Sequence, residues 1–218
     1  VIVTTLRSLK YNAHVPKSNI NLCDVSSVKG GLSNLQVHIE NMKKFNSNII
    51  VALNKFASDT VEEIEVVKNF CKNLGVAFSI CNAYSRGSAG ALDLAEVTLG
   101  VLDNENNFKL LYDDSLSIKE KIEKISTEIY RANDVLYTDI ALEKIAYLTE
   151  NNMGNLPICV AKTQYSLSDD KNKIGIIGDH IINVKDIKVY SGAGFIVVYL
   201  GNIIDMPGDG SRNEKENF

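Results

Sequence analysis

An apolar run that ends on Asn54, Lys55 and Phe56 is the part of this sequence best suited to chemistry. Residues 49–53 are continuously apolar, and a helix start follows at Thr60. This pattern is typical of a buried parallel strand whose carboxyl end presents polar side chains to a ligand crevice. The amide of Asn54 can pair with a purine edge, and the stem of Lys55 can lie along the base. The segment therefore predicts one wall of a nucleotide site.

Two other predicted strands end in polar side chains in the same way. Thr4, Thr5 and Arg7 follow the first apolar run, and Tyr84 lies just after the third. Because the carboxyl ends of parallel strands meet at one edge of a sheet, these side chains are predicted to converge with Asn54. Polar residues also cap strands where loops begin, so a purely structural role stays open.

Other segments offer weaker chemistry. The dipeptide Gly-Lys does not occur in the sequence, so the chain has no Walker A phosphate loop. The amides around Gly87 and Gly90, at a predicted helix start, can hold an anion. The polar segment 163–170 can either bind a ligand or shape an interface. The histidines and cysteines are isolated from one another, so no residue is predicted to bind a metal.

Composition excludes several classes of protein. With 45% apolar and 23% charged residues, the chain reads as globular. Its net charge of −4 offers no basic surplus for nucleic acid. No apolar run reaches the roughly 18 residues of a membrane span. Four widely spaced cysteines are expected to be buried free thiols in a reducing compartment, which favours the cytoplasm and leaves an organelle open.

Hydrophobic spacing predicts an α/β protein. Strand and helix patterns alternate with short connections in the first half, which is typical of βαβ units and a parallel sheet. Helices are predicted over about 25–45, after Thr60, after Gly90 with an apolar stripe, after Ser117, and over about 138–149; the stripe after Gly90 is Leu92, Ala95, Leu99 and Leu102. Strands beyond the first three are predicted over 108–112, 158–161, 181–184 and 195–200.

A polar stretch at 104–107 predicts a domain boundary. Residues 1–104 are expected to form the carboxyl-terminal half of a nucleotide-binding α/β domain and the start of a second ligand region. Residues 105–208 are expected to form a smaller α/β domain. The charged, glycine-containing residues 209–218 are expected to be a disordered tail.

Several motifs in one order resemble a known family. The chain is similar to formate–tetrahydrofolate ligase, specifically to its carboxyl-terminal portion, and the likeness extends nearly to Gly208. The segments that carry it are Val3–Lys10, Val15–Ser18, Asn34–Leu35, His38–Asn41, Ala52–Phe56, Phe108–Asp113, Gly154–Cys159, Ala161–Ser168, Gly192–Phe195 and Met206–Gly208.

This resemblance implies a fold and a reaction. The fold implied is the parallel-sheet part of a P-loop NTPase-like domain, followed by smaller α/β subdomains. The reaction implied is ATP-dependent ligation of formate to tetrahydrofolate through formyl phosphate, giving 10-formyltetrahydrofolate, with Mg²⁺. The family's P-loop lies in an N-terminal portion that this chain lacks. That portion is an expected partner, and the chain alone is expected to be inactive.

The resemblance also implies roles for individual residues. The residues it assigns to ATP are Thr5, Asn54, Lys55 and Phe56. It places Arg7 near the phosphate or formyl phosphate, as the candidate catalytic residue. Tyr84 is implied to stack on the pterin ring of the folate, with Leu111 as an apolar wall. Stacking of an aromatic ring on a flat heterocycle is worth about 1–3 kcal/mol by analogy with nucleic-acid bases.

Two other readings compete with a ligase. A non-catalytic fragment or scaffold of the same fold is favoured by the absence of a phosphate loop. A GTPase-like switch is suggested by Asn54-Lys55, but that motif usually has Asp in the fourth position, where this chain has Ala57. Assembly into a homo-oligomer stays open.

Overall fold

The computed structural model describes residues 1–175 and 178–200, and these residues fall into two units. The first unit contains residues 1–111 with 174–175, and the second contains 112–173 with 178–200. The predicted boundary at 104–107 lies within the first unit. Its asparagines are held there, since Asn106 and Asn107 bind the side chains of Asn46 and Ser47 at 3.0 and 3.1 Å. The domain functions assigned to these ranges stay predictions, and residues 209–218 lie outside the described residues.

A parallel sheet of three strands forms the centre of the first unit. The strands, in spatial order, are β1 (Ile2–Thr4), β2 (Ile50–Asn54) and β3 (Ala77–Cys81). Thr4 lies opposite Leu53, and Leu53 lies opposite Ile80. The helices of this unit are α1 (Leu6–Asn12), α2 (Val25–Lys43), α3 (Val61–Asn73), α4 (Ala83–Arg86) and α5 (Leu92–Leu102), with a 3₁₀ helix at Gly87–Ala91.

Local chemistry explains where these helices begin and end. Thr60 caps α3, and the side chain of Glu63 returns to the Thr60 amide, as the capping box predicts. Gly75, with φ of 63°, follows the end of α3 in a conformation that favours glycine. The core lies between the sheet and α1, α2 and α3, and its buried members include Leu6, Val51 and Val67.

Helix α5 differs from the prediction. Its predicted stripe is exposed, with Leu92, Leu99 and Leu102 at 60%, 66% and 71% of their full accessibility. The helix packs against β3 and β2 through its half-buried side, which carries Leu94 and Val101. The spacing predicted the helix correctly, but α5 has a second apolar side that the pattern did not separate from the first.

The second unit combines two small sheets with two helices. Its helices are α6 (Ile118–Glu128) and α7 (Asp139–Glu150). Its strands are β4 (Asp134–Tyr137), β5 (Ile158–Ala161), β6 (Ile181–Val184), β7 (Asp186–Tyr190) and β8 (Phe195–Tyr199). Strand β4 pairs with β6 in parallel, while β8 pairs with β5 in parallel and with β7 in antiparallel orientation. The predicted α/β class with parallel sheets is confirmed.

Five elements were missed and one predicted strand was wrong. Helices α1 and α4, the 3₁₀ helix at Gly87–Ala91, and strands β4 and β7 were not predicted. The strand predicted over 108–112 does not form. Instead, the Lys109 amide donates to the carbonyl of Phe45, and the side-chain hydroxyl of Tyr112 accepts from the Ile158 amide.

The four cysteines are free thiols, as predicted, but they are not all buried. Cys71 is buried, and burial raises the pKa of its thiol to about 11. Cys23 and Cys159 are exposed, and Cys81 is intermediate.

Candidate functional site

The carboxyl ends of the three parallel strands in the first unit meet at one edge of the sheet. Strand β1 ends at Thr4 and β2 at Asn54, while β3 ends at Cys81, directly opposite Asn54. The amide of Lys55 continues this pairing by donating to the carbonyl of Cys81 at 2.9 Å. An edge of this kind is where ligands bind in open α/β sheets.

Arg7 and Phe56 are in direct contact at this edge. The guanidinium carbon of Arg7 lies 3.8 Å from the centre of the Phe56 ring, a cation–π distance. The Nε atom of Arg7 is buried and has no hydrogen-bond partner. Within residues 1–175 and 178–200, no carboxylate forms an ion pair with Arg7. Arg7 is therefore an uncompensated cation beside an aromatic ring, an arrangement suited to an anionic, planar ligand.

The other residues predicted for ATP lie at the same edge. Thr5 caps α1, where its hydroxyl oxygen accepts from the Ser8 amide at 2.9 Å, so the hydroxyl proton is free to donate. Asn54 is half-buried at the end of β2. The Phe56 amide donates to the carboxylate of Asp59 at 2.8 Å, which fixes the turn that carries the ring.

A buried ion pair connects the helices that follow β1 and β2. The ammonium of Lys10 lies 2.6 Å from a carboxylate oxygen of Glu63, and their side chains are 2% and 0% exposed. Lys10 also donates to the carbonyl of Leu22, and Glu63 accepts from the amide of Asp24. Lys10 is on α1, the helix of Arg7, and Glu63 is on α3, the helix after Phe56. The pair therefore fixes the two segments whose side chains stack.

Burial acts on the pKa of Glu63 in the opposite direction to its partners. Burial alone raises the pKa, but hydrogen bonds from the Asp24 amide and Lys10 outweigh it and hold the pKa below its ordinary 4.5. The sequence placed Glu63 in a capping box and Lys10 in a family motif without connecting them. Their appearance in two separate local patterns was the only signal.

Tyr84 and Leu111, the residues predicted for folate, are not brought together. Tyr84 is in the short helix α4 and is 96% exposed, so it packs against almost nothing, Leu111 included. Leu111 is half-buried at the end of the first unit. Tyr84 lies two residues beyond Asn82, which follows β3, and thus stands at the same end of the sheet as Asn54. Its ring is open to a ligand on both faces.

The glycines before α5 have a packing role. A Cβ atom on Gly90 would lie 2.2 Å from the carbonyl oxygen of Asn82, so no larger residue fits there. This close approach allows the Asn82 amide to donate a hydrogen bond to the Gly90 carbonyl at 2.9 Å. The predicted anion-binding role of Gly87 and Gly90 stays a prediction.

The polar segment 163–170 in the second unit is organised by Lys162. Its ammonium donates to the carbonyls of Thr163 and Ser166 and lies 5.1 Å from the centre of the Tyr130 ring. Burial lowers the pKa of Lys162 to about 8, while the nearby carboxylate of Asp169 acts in the opposite direction. The lysine is occupied by the loop itself, which supports the structural interpretation of this segment.

Neither a metal centre nor a membrane span is built from the described residues. Within 1–175 and 178–200, no three His, Cys, Asp or Glu side chains lie close enough to hold a metal ion. Mg²⁺, which the resemblance implies, is commonly held by one or two carboxylates together with substrate phosphates. No helix in the same ranges has the length and apolar character needed to cross a bilayer.

Fold and site together define a class: an α/β protein whose polar strand ends meet at the carboxyl edge of a parallel sheet. The family model for formate–tetrahydrofolate ligase matches residues 1–218. A formate–tetrahydrofolate ligase of Campylobacter concisus (strain 13826) is 45% identical over 209 residues, and one of Petrotoga mobilis (strain DSM 10674 / SJ95) is 45% identical over 208 residues. Each match covers 95% of this chain and 38% of the relative.

The chain belongs to the formate–tetrahydrofolate ligase family. It spans 38% of the length of these relatives, which agrees with the prediction that it corresponds to a portion of the ligase.

Proposed function

We propose that this chain supplies the base-binding wall of the ATP site and part of the folate site of a formate–tetrahydrofolate ligase. In the proposed reaction, a formate oxygen attacks the γ-phosphorus of ATP, ADP leaves, and formyl phosphate forms. N10 of tetrahydrofolate then attacks the formyl carbon, phosphate leaves, and N10 loses its proton. The domain would be P-loop NTPase-like, with its phosphate loop contributed by the N-terminal portion of the ligase. Mg²⁺ would accompany the nucleotide rather than bind a site on this chain.

The contact between Arg7 and Phe56 is the observation that best supports this proposal. The Arg7 guanidinium has no carboxylate partner and lies 3.8 Å from the centre of the Phe56 ring. The cation can bind an anion, and the ring beside it can contact a planar group. Asn54 lies at the same strand edge and carries the donor and acceptor that a purine edge requires. We assign Arg7 to the phosphates or formyl phosphate, and Asn54, Lys55 and Phe56 to the adenine.

Thr5, Tyr84 and Leu111 complete the proposed assignments. The free hydroxyl proton of Thr5 can donate to a phosphate oxygen. The exposed ring of Tyr84 is the proposed platform for the pterin. Leu111 is proposed as an apolar wall for another part of the folate. Tyr84→Ala should weaken tetrahydrofolate binding about 10-fold, the loss expected for one stacking contact, whereas unchanged affinity would make Tyr84 structural.

Binding of ADP and of adenosine to this chain, measured by calorimetry, tests the nucleotide assignment. Asn54→Ala should weaken both ligands, because both carry the purine. Arg7→Gln should weaken ADP and leave adenosine nearly unchanged, because only ADP carries phosphates. Lys109→Gln, an exposed cation outside the site, is the matched control. Tighter binding of GDP than of ADP would favour the GTPase-like interpretation, and no binding of either would remove the nucleotide assignment.

A non-catalytic fragment or scaffold is the second candidate. The absence of Gly-Lys anywhere in the sequence favours it, since no phosphate loop can form. We expect the chain alone to produce no 10-formyltetrahydrofolate from formate, ATP and tetrahydrofolate. When the chain is joined to the remaining portion of a related ligase, it should produce 10-formyltetrahydrofolate if the first proposal is right. Production by the isolated chain would contradict the expected inactivity, and inactivity of the joined protein would favour the scaffold.

A further inference from the structure

Helix α5 carries two separate apolar stripes. One stripe, with Leu94 and Val101, is half-buried against β3 and β2. The other is exposed, with Leu92, Leu99 and Leu102 at 60%, 66% and 71% of their full accessibility. At 3.6 residues per turn, the stripe centres lie roughly 130° apart, so a single flat surface cannot cover both. A helix that is apolar on two sides is typical of one that is buried on two sides.

The face of the sheet on which α5 packs is only partly covered. Ser79 identifies this face, because its hydroxyl donates to Asp93 of α5 at 2.5 Å. Val3, Ala52 and Ser79 lie in register across the three strands and therefore point to one face. Ala52 and Ser79 are 1% and 2% exposed, but Val3 is 67% exposed. The cover supplied by α5 thus stops before β1.

Strand β1 is also an open edge. Among the described residues it pairs only with β2, so one side of its backbone has no strand partner. Parallel sheets occur with helices over both faces, and each added strand arrives with a helix. A further parallel strand beside β1 would bring a helix to the uncovered face above Val3, next to α5.

From these observations we propose that Leu92, Leu99, Leu102 and Val3 form a docking surface for an apolar helix from the part of the ligase polypeptide that lies outside this chain. The inference rests on the proposed function. The relatives have ample chain to supply this partner, since the matches cover 38% of their length. A second copy fits less well, because a twofold axis would bring two β1 edges together in antiparallel orientation and would not extend a parallel sheet.

Association in trans tests this surface. The chain is mixed with the remaining portion of the Campylobacter concisus relative, and the affinity is measured by analytical ultracentrifugation. Leu99→Glu with Leu102→Glu should weaken binding about 100-fold or more, since two leucines would carry charge into an apolar contact. Leu110→Glu is the matched control, because Leu110 is equally exposed at 66% but lies outside α5. All three sites are exposed in the free chain, so its unfolding midpoint should not change.

Hydrogen exchange provides the second measurement, on the two portions joined as one polypeptide. Amides 92–102 should exchange at least 10-fold more slowly in the joined protein than in the free chain, and the double variant should remove that protection. Binding or protection unaffected by the double variant would overturn the docking surface. Stripe-dependent self-association of the free chain would assign the surface to a second copy instead. Ligase activity and ADP binding are measured separately on the joined protein. If either is absent while amides 92–102 remain protected, the result counts against the proposed function and leaves the docking surface intact.

Discussion

Two fully buried lysines, one in each unit, are stabilised in different ways. In the first unit, Lys10 pairs with the carboxylate of Glu63 at 2.6 Å. In the second unit, Lys121 is 0% exposed and donates to two backbone carbonyls, those of Gly154 and Leu156, at 2.9 and 3.2 Å. Each lysine is close to a capping box, but only in the first unit does the capping glutamate also bind the lysine.

The difference shows what each network can hold in place. Glu63 connects its own helix start to Lys10 and to the Asp24 amide, so it joins three segments that are distant in sequence. In the second unit the capping glutamate, Glu120, is exposed and serves only Ser117. Lys121 separately secures the turn before β5. A paired buried charge fixes two helices of the candidate site, whereas the unpaired one fixes a single loop.

Removal of the cation in the first unit should have the largest effect. Lys10→Met leaves the Glu63 carboxylate buried without its ammonium partner, and breaking a buried pair in this way costs about 3–5 kcal/mol. Hydrogen exchange of α1 and α3 amides would measure the loss. Lys68→Met is the matched control, because the Lys68–Glu65 pair at 3.2 Å is exposed and such pairs contribute about 0–1 kcal/mol. If adding Glu63→Gln to Lys10→Met restores none of the stability, the pair is not the cause.

The corresponding change in the second unit should cost less. Lys121→Met keeps the apolar stem of the side chain and leaves no buried charge behind. It removes the donors to the Gly154 and Leu156 carbonyls, for which about 1–3 kcal/mol is expected. Hydrogen exchange of the amides in α6 and in the turn before β5 would measure this loss of stability. A loss as large as that of Lys10→Met would mean that carbonyls compensate a buried ammonium as strongly as a carboxylate does.

Different pH windows should separate the two networks, although stability rises with pH in both. The lowered pKa of Glu63 stabilises the first unit above about 4.5, and that contribution is lost as the pH falls through the folded-state value. Burial lowers the pKa of Lys121 below its ordinary 10.5, with Asp114 and Asp113 acting in the opposite direction. The unfolded chain then binds more protons just below pH 10.5, so stability rises with pH in that window.

Unfolding free energies of matched variants would test these slopes. The difference between the wild type and Glu63→Gln should shrink from pH 6 to pH 3. The difference between Lys121→Met and the wild type should change as the pH rises toward 10.5, and comparing the two proteins cancels the titration of the tyrosines. A Lys121→Met difference that is constant up to pH 10.5 would contradict the lowered pKa of Lys121.

Local patterns predicted the parts of this molecule that depend on local physics. The strand ending at Asn54 and the capping boxes at Thr60 and Ser117 were predicted because an apolar run or a cap is complete within a few residues. The Lys10–Glu63 pair and the contact of Arg7 with Phe56 join residues about fifty positions apart, and no local pattern specifies such a partner. The false strand at 108–112 has the same origin, since a short apolar run does not show whether a neighbouring strand exists.

The capping boxes offer the smallest test of the comparison. Ser117→Ala removes the hydroxyl that accepts from the Glu120 amide at the start of α6, and loss of such a cap costs about 1 kcal/mol. Thr60→Ala should cost more, because the Thr60 hydroxyl also donates to the buried carboxylate of Glu63 at 3.2 Å, the one that Lys10 requires. Exchange of the first-turn amides of α6 and α3 would measure both losses. Equal losses would show that Glu63 is held by Lys10 and Asp24 alone, and that the cap of α3 is independent of the ion pair.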